Sequence, residues 1–448
     1  MVIQTGKQPV TLLTAASILS LSLVVNLPGL AISPMLGTLQ QVFPHTTETE
    51  QQLLTVLPNL LIIPFVLLSG RLSLSRHKIS TVVSGLAIFL ICGILYFFAN
   101  DMLSLIILSC ALGCGAGLII PFSTGFIADV FTDRYQMKVM GLQSGISNLT
   151  VVVATFVVGW LCGDVAHWHL PFIVYLVAFV PLIMTIFLRG IPASDFQINQ
   201  LNAAYNQSGL TQYSSMPASS AISASNEPRT YKGFYIGRLI GIIGVYFFIT
   251  FATMVIDYYV SYLCEAKGWK TSLGGTITAL FFLFIFLSGF LLPYIVRFLK
   301  ATTFWVCSIL ICIGLGLLAF FQHIELLCIG TILAGTGYGI LQPLIYDKAS
   351  RTILIPEKAT LALAFVLSSN YLSIVAVPFI IDIARSIFHN SDPRVLPFIF
   401  NFFLSCGFAA VAFAMRKQFA FSVKNDYYQK NTTNNPHKKT ADKTAKAV

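Results

Sequence analysis

Gly113-Cys114-Gly115-Ala116-Gly117-Leu118-Ile119-Ile120-Pro121 recurs, 222 residues later, as Gly335-Thr336-Gly337-Tyr338-Gly339-Ile340-Leu341-Gln342-Pro343. The alternate glycines and the proline line up without a gap. The same offset carries Ser147-Asn148 onto Ser369-Asn370 and Val153-Ala154 onto Val375-Ala376. A weaker match sets Leu68-Ser69-Gly70 against Leu287-Ser288-Gly289 at an offset of 219. The chain reads as two similar halves in the same orientation, a layout in which a solute path runs between the halves.

Both halves are apolar. Of 448 residues, 56% are hydrophobic and 10% charged, with a mean hydropathy of +0.80. Apolar runs of roughly 18 or more residues read as membrane-spanning helices. Such runs occupy 11–36, 51–71, 79–98, 103–125, 138–162, 169–188, 237–262, 273–296, 302–321, 326–346, 358–383 and 394–415. None alternates in polarity as the strands of a membrane barrel do. The expected fold is all-α, a polytopic membrane protein of twelve transmembrane helices in two six-helix pseudo-symmetric bundles. Residues 1–189 are expected to form the N-terminal bundle and 234–416 the C-terminal one. Between them, 190–233 is rich in Ser, Asn, Gln and Ala and reads as a flexible cytoplasmic linker. Residues 417–448 read as a basic, disordered tail.

The formal net charge is +10. With both termini in the cytoplasm, all but four of the 27 Lys and Arg residues fall inside, the exceptions being Lys267, Lys270, Arg385 and Arg394. That bias matches the positive-inside rule and points to a cell-membrane protein with both termini cytoplasmic. The basic residues are scattered over short loops and the tail, which argues against a nucleic-acid partner. The apolar stretch from Val10 is longer than a signal-peptide core, so it reads as a retained first span. Nine cysteines lie in or at the ends of the spans with no CxxC pair, and seven histidines lie in loops, at helix ends or in the tail. Neither set implies a metal site or a cofactor. With no nucleophile–base set either, the chain does not read as an enzyme.

Twelve spans split six and six, a central polar linker and the short basic loop Gly70-Arg-Leu-Ser-Leu-Ser-Arg-His-Lys78 together resemble the major facilitator superfamily. That superfamily's loop pattern is Gly, any residue, Leu, a small residue, Asp, Arg, any residue, Gly, then Arg or Lys. Gly70, Leu72, Ser73 and Lys78 fit it. Leu74, Ser75 and His77 stand where the Asp, Arg and Gly belong. In the fourth span, Ser109 and Leu112 replace the Arg and Gln of the family's proton-coupled exporters. In the fifth, Ala154–Gly159 lacks the proline of the drug–proton antiporter bend, and only Gly141 and Gly159 fit the wider pattern. The resemblance implies secondary active transport by alternating access. Spans 1, 4, 7 and 10 would line a central cavity, with 2, 5, 8 and 11 at its sides. It also implies a small-molecule substrate, protons as the candidate coupling ion, a lipid bilayer surround and a monomer.

Within that frame the intramembrane polar residues are the candidate site. Asn148 and Asn370 sit about 11 or 12 residues from either end of their spans, near the bilayer midplane at 1.5 Å per residue. A carboxamide in lipid needs partners, so each either faces the cavity or joins helices by a hydrogen bond. Asn26, Asn59, Gln143 and Gln342 are further cavity candidates, with Tyr246, Tyr258 and Tyr346 as amphipathic walls. Asp257 is the one carboxylate placed clearly inside a span. A carboxylate removed from water favours its neutral form, which makes Asp257 the candidate proton carrier. Asp129 and Asp347, near helix ends, are candidate inner gates pairing with Lys138, Lys348 or Arg351. No Lys or Arg lies near a midplane, so a clamp for phosphate-like anions is lacking. The charge-poor, aromatic interior suits an amphipathic or hydrophobic organic solute. Export of drug-like compounds is the first expectation. Uptake or exchange of an amphipathic organic anion such as a bile salt is the second, and a non-transporting membrane sensor the third.

Overall fold

The structure is a computed structural model that describes residues 2–3, 5, 10–30, 35, 39, 42–44, 46, 48–74, 78–161, 167–188, 230–231, 234–269, 272–353, 358–388, 392 and 394–423. Of the expected linker only 230–231 are among them, and of the expected tail only 417–423. Among the described residues, twelve helices are long and apolar enough to cross a membrane. In the first half, α1 is three short helices, Leu12–Ser20, Ser22–Val25 and Leu27–Leu30. It is followed by α2 (Glu48–Leu72), α3 (Lys78–Leu95), α4 (Met102–Val130) and α5 (Asp133–Leu161). The sixth span, α6, begins as a 3₁₀ helix (Leu170–Ala178) and ends as an α-helix (Phe179–Leu188). The second half holds α7 (Ile236–Ala266), α8 (Ser272–Phe290, continued by Leu292–Leu299) and α9 (Thr303–Phe320). It closes with α10 (Ile324–Ser350), α11 (Ala359–Ile387) and α12 (Leu396–Ala414). Two antiparallel pairs of two-residue strands, Val2–Ile3 with Val10–Thr11 and Thr230–Tyr231 with Phe234–Tyr235, precede α1 and α7.

Helices dominate because lipid offers no partner for a backbone N–H or C=O, so each span must satisfy its own. Two helix starts are capped by side chains. Thr11 Oγ1 accepts from Thr14 N at 3.2 Å to begin α1, and Asp101 accepts from Ser104 N at 2.9 Å to begin α4. The two hydrogen bonds from Ser104 hold the Asp101 carboxyl below its ordinary range.

The quoted glycines decide how the bundles pack. Residues two apart on a helix point roughly 200° apart, and residues four apart share a face. In α4, a β-carbon on Gly113 would lie 2.6 Å from the Pro58 carbonyl oxygen, and one on Gly117 2.9 Å from that of Ile62, both in α2. On the other face, one on Gly115 would lie 2.9 Å from the Gly85 carbonyl oxygen in α3. The repeat does the same in the second half. Gly335 and Gly339 press on the Phe281 and Ile285 carbonyl oxygens in α8, at 2.7 and 2.5 Å, and Gly337 on that of Cys307 in α9, at 2.7 Å. So α4 is clasped between α2 and α3 as α10 is between α8 and α9.

The second sequence match marks where the halves meet. Gly70, at the end of α2, faces Ala364 and Leu361 of α11, and Gly289, at the end of α8, faces Gly141 and Gly145 of α5. Gly125 of α4 abuts Thr360 of α11. These contacts lie near the membrane face at which α1 begins and α12 ends, here termed the terminal face.

Three departures from the sequence expectation stand out. The first span is broken at Leu21 and Asn26 instead of running as one helix. Helices α4 and α11 run on to Val130 and Ile387, past the expected ends at 125 and 383; the added turn of α4 is largely buried against neighbours, while that of α11 is largely exposed. Ordered chain also continues beyond the expected boundary at 416, since Phe421 and Val423 are each only 6% exposed.

Gly113→Val should lower the thermal midpoint in detergent by several degrees, since overpacking against unyielding backbone costs about 1–3 kcal/mol or more. Gly159→Ala should leave it unchanged, because a β-carbon there meets nothing within 4 Å. Equal midpoints for the two variants would refute the clasp.

Candidate functional site

Four helices bring polar side chains together at mid-depth. On α7, Tyr246 and Thr250 are four residues apart and share a face. So do Tyr338, Gln342 and Tyr346 on α10. Tyr246 and Tyr346 are joined through their hydroxyls at 2.7 Å. The Gln342 amide donates to both, at 3.2 and 3.0 Å. One turn further along, Thr250 donates to Asn370 Oδ1 of α11 at 2.8 Å, and Tyr338 approaches the same oxygen at 3.4 Å. The first half reaches in through Ser144 of α5, whose hydroxyl donates to Gln342 Oε1 at 2.6 Å. All seven side chains are buried.

The candidates read from sequence divide accordingly. Tyr246, Gln342, Tyr346 and Asn370 meet in this network. Asn148 is buried but donates to the Ser144 carbonyl of its own helix at 2.7 Å. Asn59 likewise donates to Thr55 of its own helix at 2.9 Å, while its amide crowds Gly29 of α1. Asn26 is half-buried at the second break in α1. Gln143 is 2% exposed, and its Oε1 has no partner among the described residues. Ser22 Oγ in α1 and Thr124 Oγ1 in α4 are buried and unpartnered in the same way. Asp257 and Tyr258 are half-buried on the far part of α7. Thr250, Tyr338 and Ser144 were not singled out by the sequence reading. Each lies four residues from one that was (Tyr246, Gln342 and Asn148), and that spacing was the available signal.

A second cluster lies nearer the terminal face. Gln136 of α5 donates across the seam to Asp347 Oδ1 at 3.1 Å and to Ser350 Oγ at 2.6 Å, both on α10. Arg351 pairs with Asp347 through Nε at 2.9 Å and Nη2 at 3.2 Å. Asp347 therefore pairs with Arg351, one of the expected partners, and Gln136 is the bridging residue that sequence did not suggest. Asp129 pairs with Lys78 of α3 at 3.1 Å, inside the first half. Among the described charges of the family-like loop, Lys78 keeps a partner there. Midway through the membrane, Tyr371 of α11 donates to the Val25 carbonyl of α1 at 3.2 Å, beside the break. The hydrogen bonds described between the halves thus lie at mid-depth or toward the terminal face.

A family model described as the Major Facilitator Superfamily matches residues 11–378. The structure is similar to that of the human organic anion transporter MFSD10, with a TM-score of 0.65 at 14% identity, covering 88% of this chain and 99% of that one. It is similar also to the proton:xylose symporter XylE bound to 6-bromo-6-deoxy-D-glucose, with a TM-score of 0.64 at 14% identity, covering 90% and 95%. At these identities the likeness concerns the fold. In sequence, 164 residues are 31% identical to the multidrug transporter protein MdtP of Bacillus subtilis (strain 168). That match spans 36% of this chain and 29% of the relative's length.

The two repeat-related asparagines should respond differently to truncation. Asn370→Ala removes the acceptor of Thr250 from a buried interhelical bond and should cost roughly 1 kcal/mol. Asn148→Ala removes a bond within one helix turn and should cost clearly less. Thermal unfolding of the two variants in one detergent checks the order, and a larger loss for Asn148→Ala would contradict this geometry.

Proposed function

The chain belongs to the major facilitator superfamily, and from that membership we propose a secondary active transporter that exports amphipathic or hydrophobic, drug-like organic solutes by alternating access. The observation that carries this reading is the buried network of tyrosines, hydroxyls and amides at the seam between the halves. Such a surface offers aromatic faces and uncharged hydrogen bonds, the groups that suit a largely apolar ligand with a few polar atoms. The partial likeness to a multidrug transporter supports the same solute class.

Alternating access requires a seam that opens on each side in turn. Contacts near the terminal face, from Gly70 with Ala364 to Gln136 with Asp347, suit a state closed on that side. The positive-inside rule makes that side cytoplasmic, so the conformation is read as outward-facing. Asn26, Asn59, Gln143 and Asn148 would complete the first-half wall as substrate-binding residues, with Asp257 and Tyr258 in the outer part of the path. Asp257 is also the proposed proton carrier. Among the described residues no hydrogen bond or ion pair reaches it, so its proton can exchange without breaking one.

Two measurements test the proposal. Purified protein in proteoliposomes should accumulate lipophilic dyes against a gradient when a pH difference is imposed. Asp257→Asn should abolish that accumulation while sparing exchange at equilibrium. No flux of any amphiphile in a broad panel sinks the reading, and undiminished accumulation by Asp257→Asn moves the coupling elsewhere. For orientation, single cysteines at Ser219 and Val448 in a cysteine-free background should resist impermeant thiol reagents in intact cells. Labelling of either from outside would reverse the topology.

A further inference from the structure

The terminal-face end of α10 carries a buried cation that the transport path does not use. Lys348 is 7% exposed. Its ammonium donates to the main-chain carbonyl of Phe419 at 2.5 Å and to that of Ser422, and lies 5.1 Å from the centre of the Phe419 ring. All three contacts come from the short segment after α12. That segment is held in turn. Its backbone coils through bonds from Gln418 N to Met415 O and from Ser422 N to Gln418 O, at 2.8 and 2.9 Å. The Phe421 ring packs edge-on against Phe304 of α9 at 5.2 Å, and the Arg238 guanidinium at the start of α7 lies 4.9 Å from the centre of the Phe419 ring.

Burying an ammonium costs several kcal/mol unless its donors are met. Here main-chain carbonyls meet them, and those carbonyls stay in place only while the segment stays docked. The neighbouring residue, Asp347, is the one that reaches Gln136 across the seam. One turn end of α10 thus holds two adjacent groups, one tied backward into its own half and one bridging to the other half. We propose that Lys348, anchored on the Met415–Val423 segment, is a positioning residue that keeps Asp347 and Ser350 aligned on Gln136 and so sets how firmly the terminal face closes. This rests on the alternating-access reading above. Release of the segment, or loss of the ammonium, frees the end of α10 and shifts the protein toward the state open at that face.

Thr360 is a suitable reporter. It is fully buried, and Gly125 of the opposite half abuts it near the terminal face. Thr360→Cys, placed in a cysteine-free protein in lipid nanodiscs, gives a thiol that a bulky maleimide reaches only when the seam opens, whichever side faces the cytoplasm. Gln136→Ala, which cuts the seam bond itself, serves as the reference. Lys348→Met, which leaves the Phe419 and Ser422 carbonyls without their donor, should raise the labelling rate roughly tenfold. Lys348→Arg, which keeps charge and donors, should return the rate to near that of the parent. A purely structural role would lower the thermal midpoint of Lys348→Met and leave labelling of the folded protein unchanged, and that result overturns the proposal. If Lys348→Met does not fold, Phe419→Ala decides in its place: faster labelling supports the anchor and unchanged labelling overturns it. If Gln136→Ala also leaves the reporter buried, the gate reading fails. If Gln136→Ala exposes the reporter and the anchor variants do not, only the positioning role fails.

Discussion

Close contact between helix backbones is the constraint on which the molecule rests. In a bilayer, helices gain little from burying apolar side chains against one another, because lipid is as apolar as leucine. Tight packing and exact partnering of polar groups must hold the bundle instead. Gly113, Gly115 and Gly117 let α4 touch α2 and α3 on opposite faces, and Gly335, Gly337 and Gly339 let α10 touch α8 and α9. With each central helix clasped, α2 and α8 carry Gly70 and Gly289 to the places where they meet α11 and α5. The seam between the halves is therefore a product of packing inside each half.

Polar groups are distributed unevenly across that seam. In the second half, Tyr246, Thr250, Gln342, Tyr346 and Asn370 satisfy one another. Buried oxygens with no partner among the described residues occur in both halves, Ser22 Oγ, Thr124 Oγ1 and Gln143 Oε1 in the first and Thr360 Oγ1 in the second. An unmet buried oxygen is costly, on the order of 1–3 kcal/mol. The two halves share a backbone plan and differ in the chemistry that they present to one another. The break in α1 adds to this contrast, since a discontinuous helix frees carbonyls near mid-depth and one of them, at Val25, is taken by Tyr371 of the other half.

Much of the fold was legible in the sequence, and for identifiable reasons. Each span is a long apolar run, and no other feature of a polypeptide satisfies the bilayer so directly. The repeat was legible because glycine cannot be replaced where backbones touch. Helix ends were less so: the last turns of α4 and α11 carry the charged residues Asp129 and Arg385, so hydropathy falls off before the helix does. The break in α1 escaped notice although Asn26, Pro28 and Gly29 stand close together there. In the site, Gln342, Tyr246, Tyr346 and Asn370 were recognisable as polar residues in apolar surroundings. Their partners Thr250, Tyr338 and Ser144 were not, because hydroxyls are common in spans and only three-dimensional proximity distinguishes those that bond. Lys348 was read as one of several possible partners for an aspartate. Its actual partners are carbonyls of a segment that reads as tail, and main-chain partners leave no mark in a sequence.

The alternation of glycine with other residues in α10 separates two demands on one helix. Gly335, Gly337 and Gly339 serve the backbone contacts, while Tyr338 and Gln342 serve the polar seam. Exchanges at Tyr338 or Gln342 leave the glycines untouched, so the surface offered at the seam can drift while the scaffold does not. Two tandem copies double the opportunity, for α4 already carries Ala116 and Ile120 at the positions matching Tyr338 and Gln342. Duplication followed by divergence at the intervening positions is a route by which such a chain diversifies without having to refold.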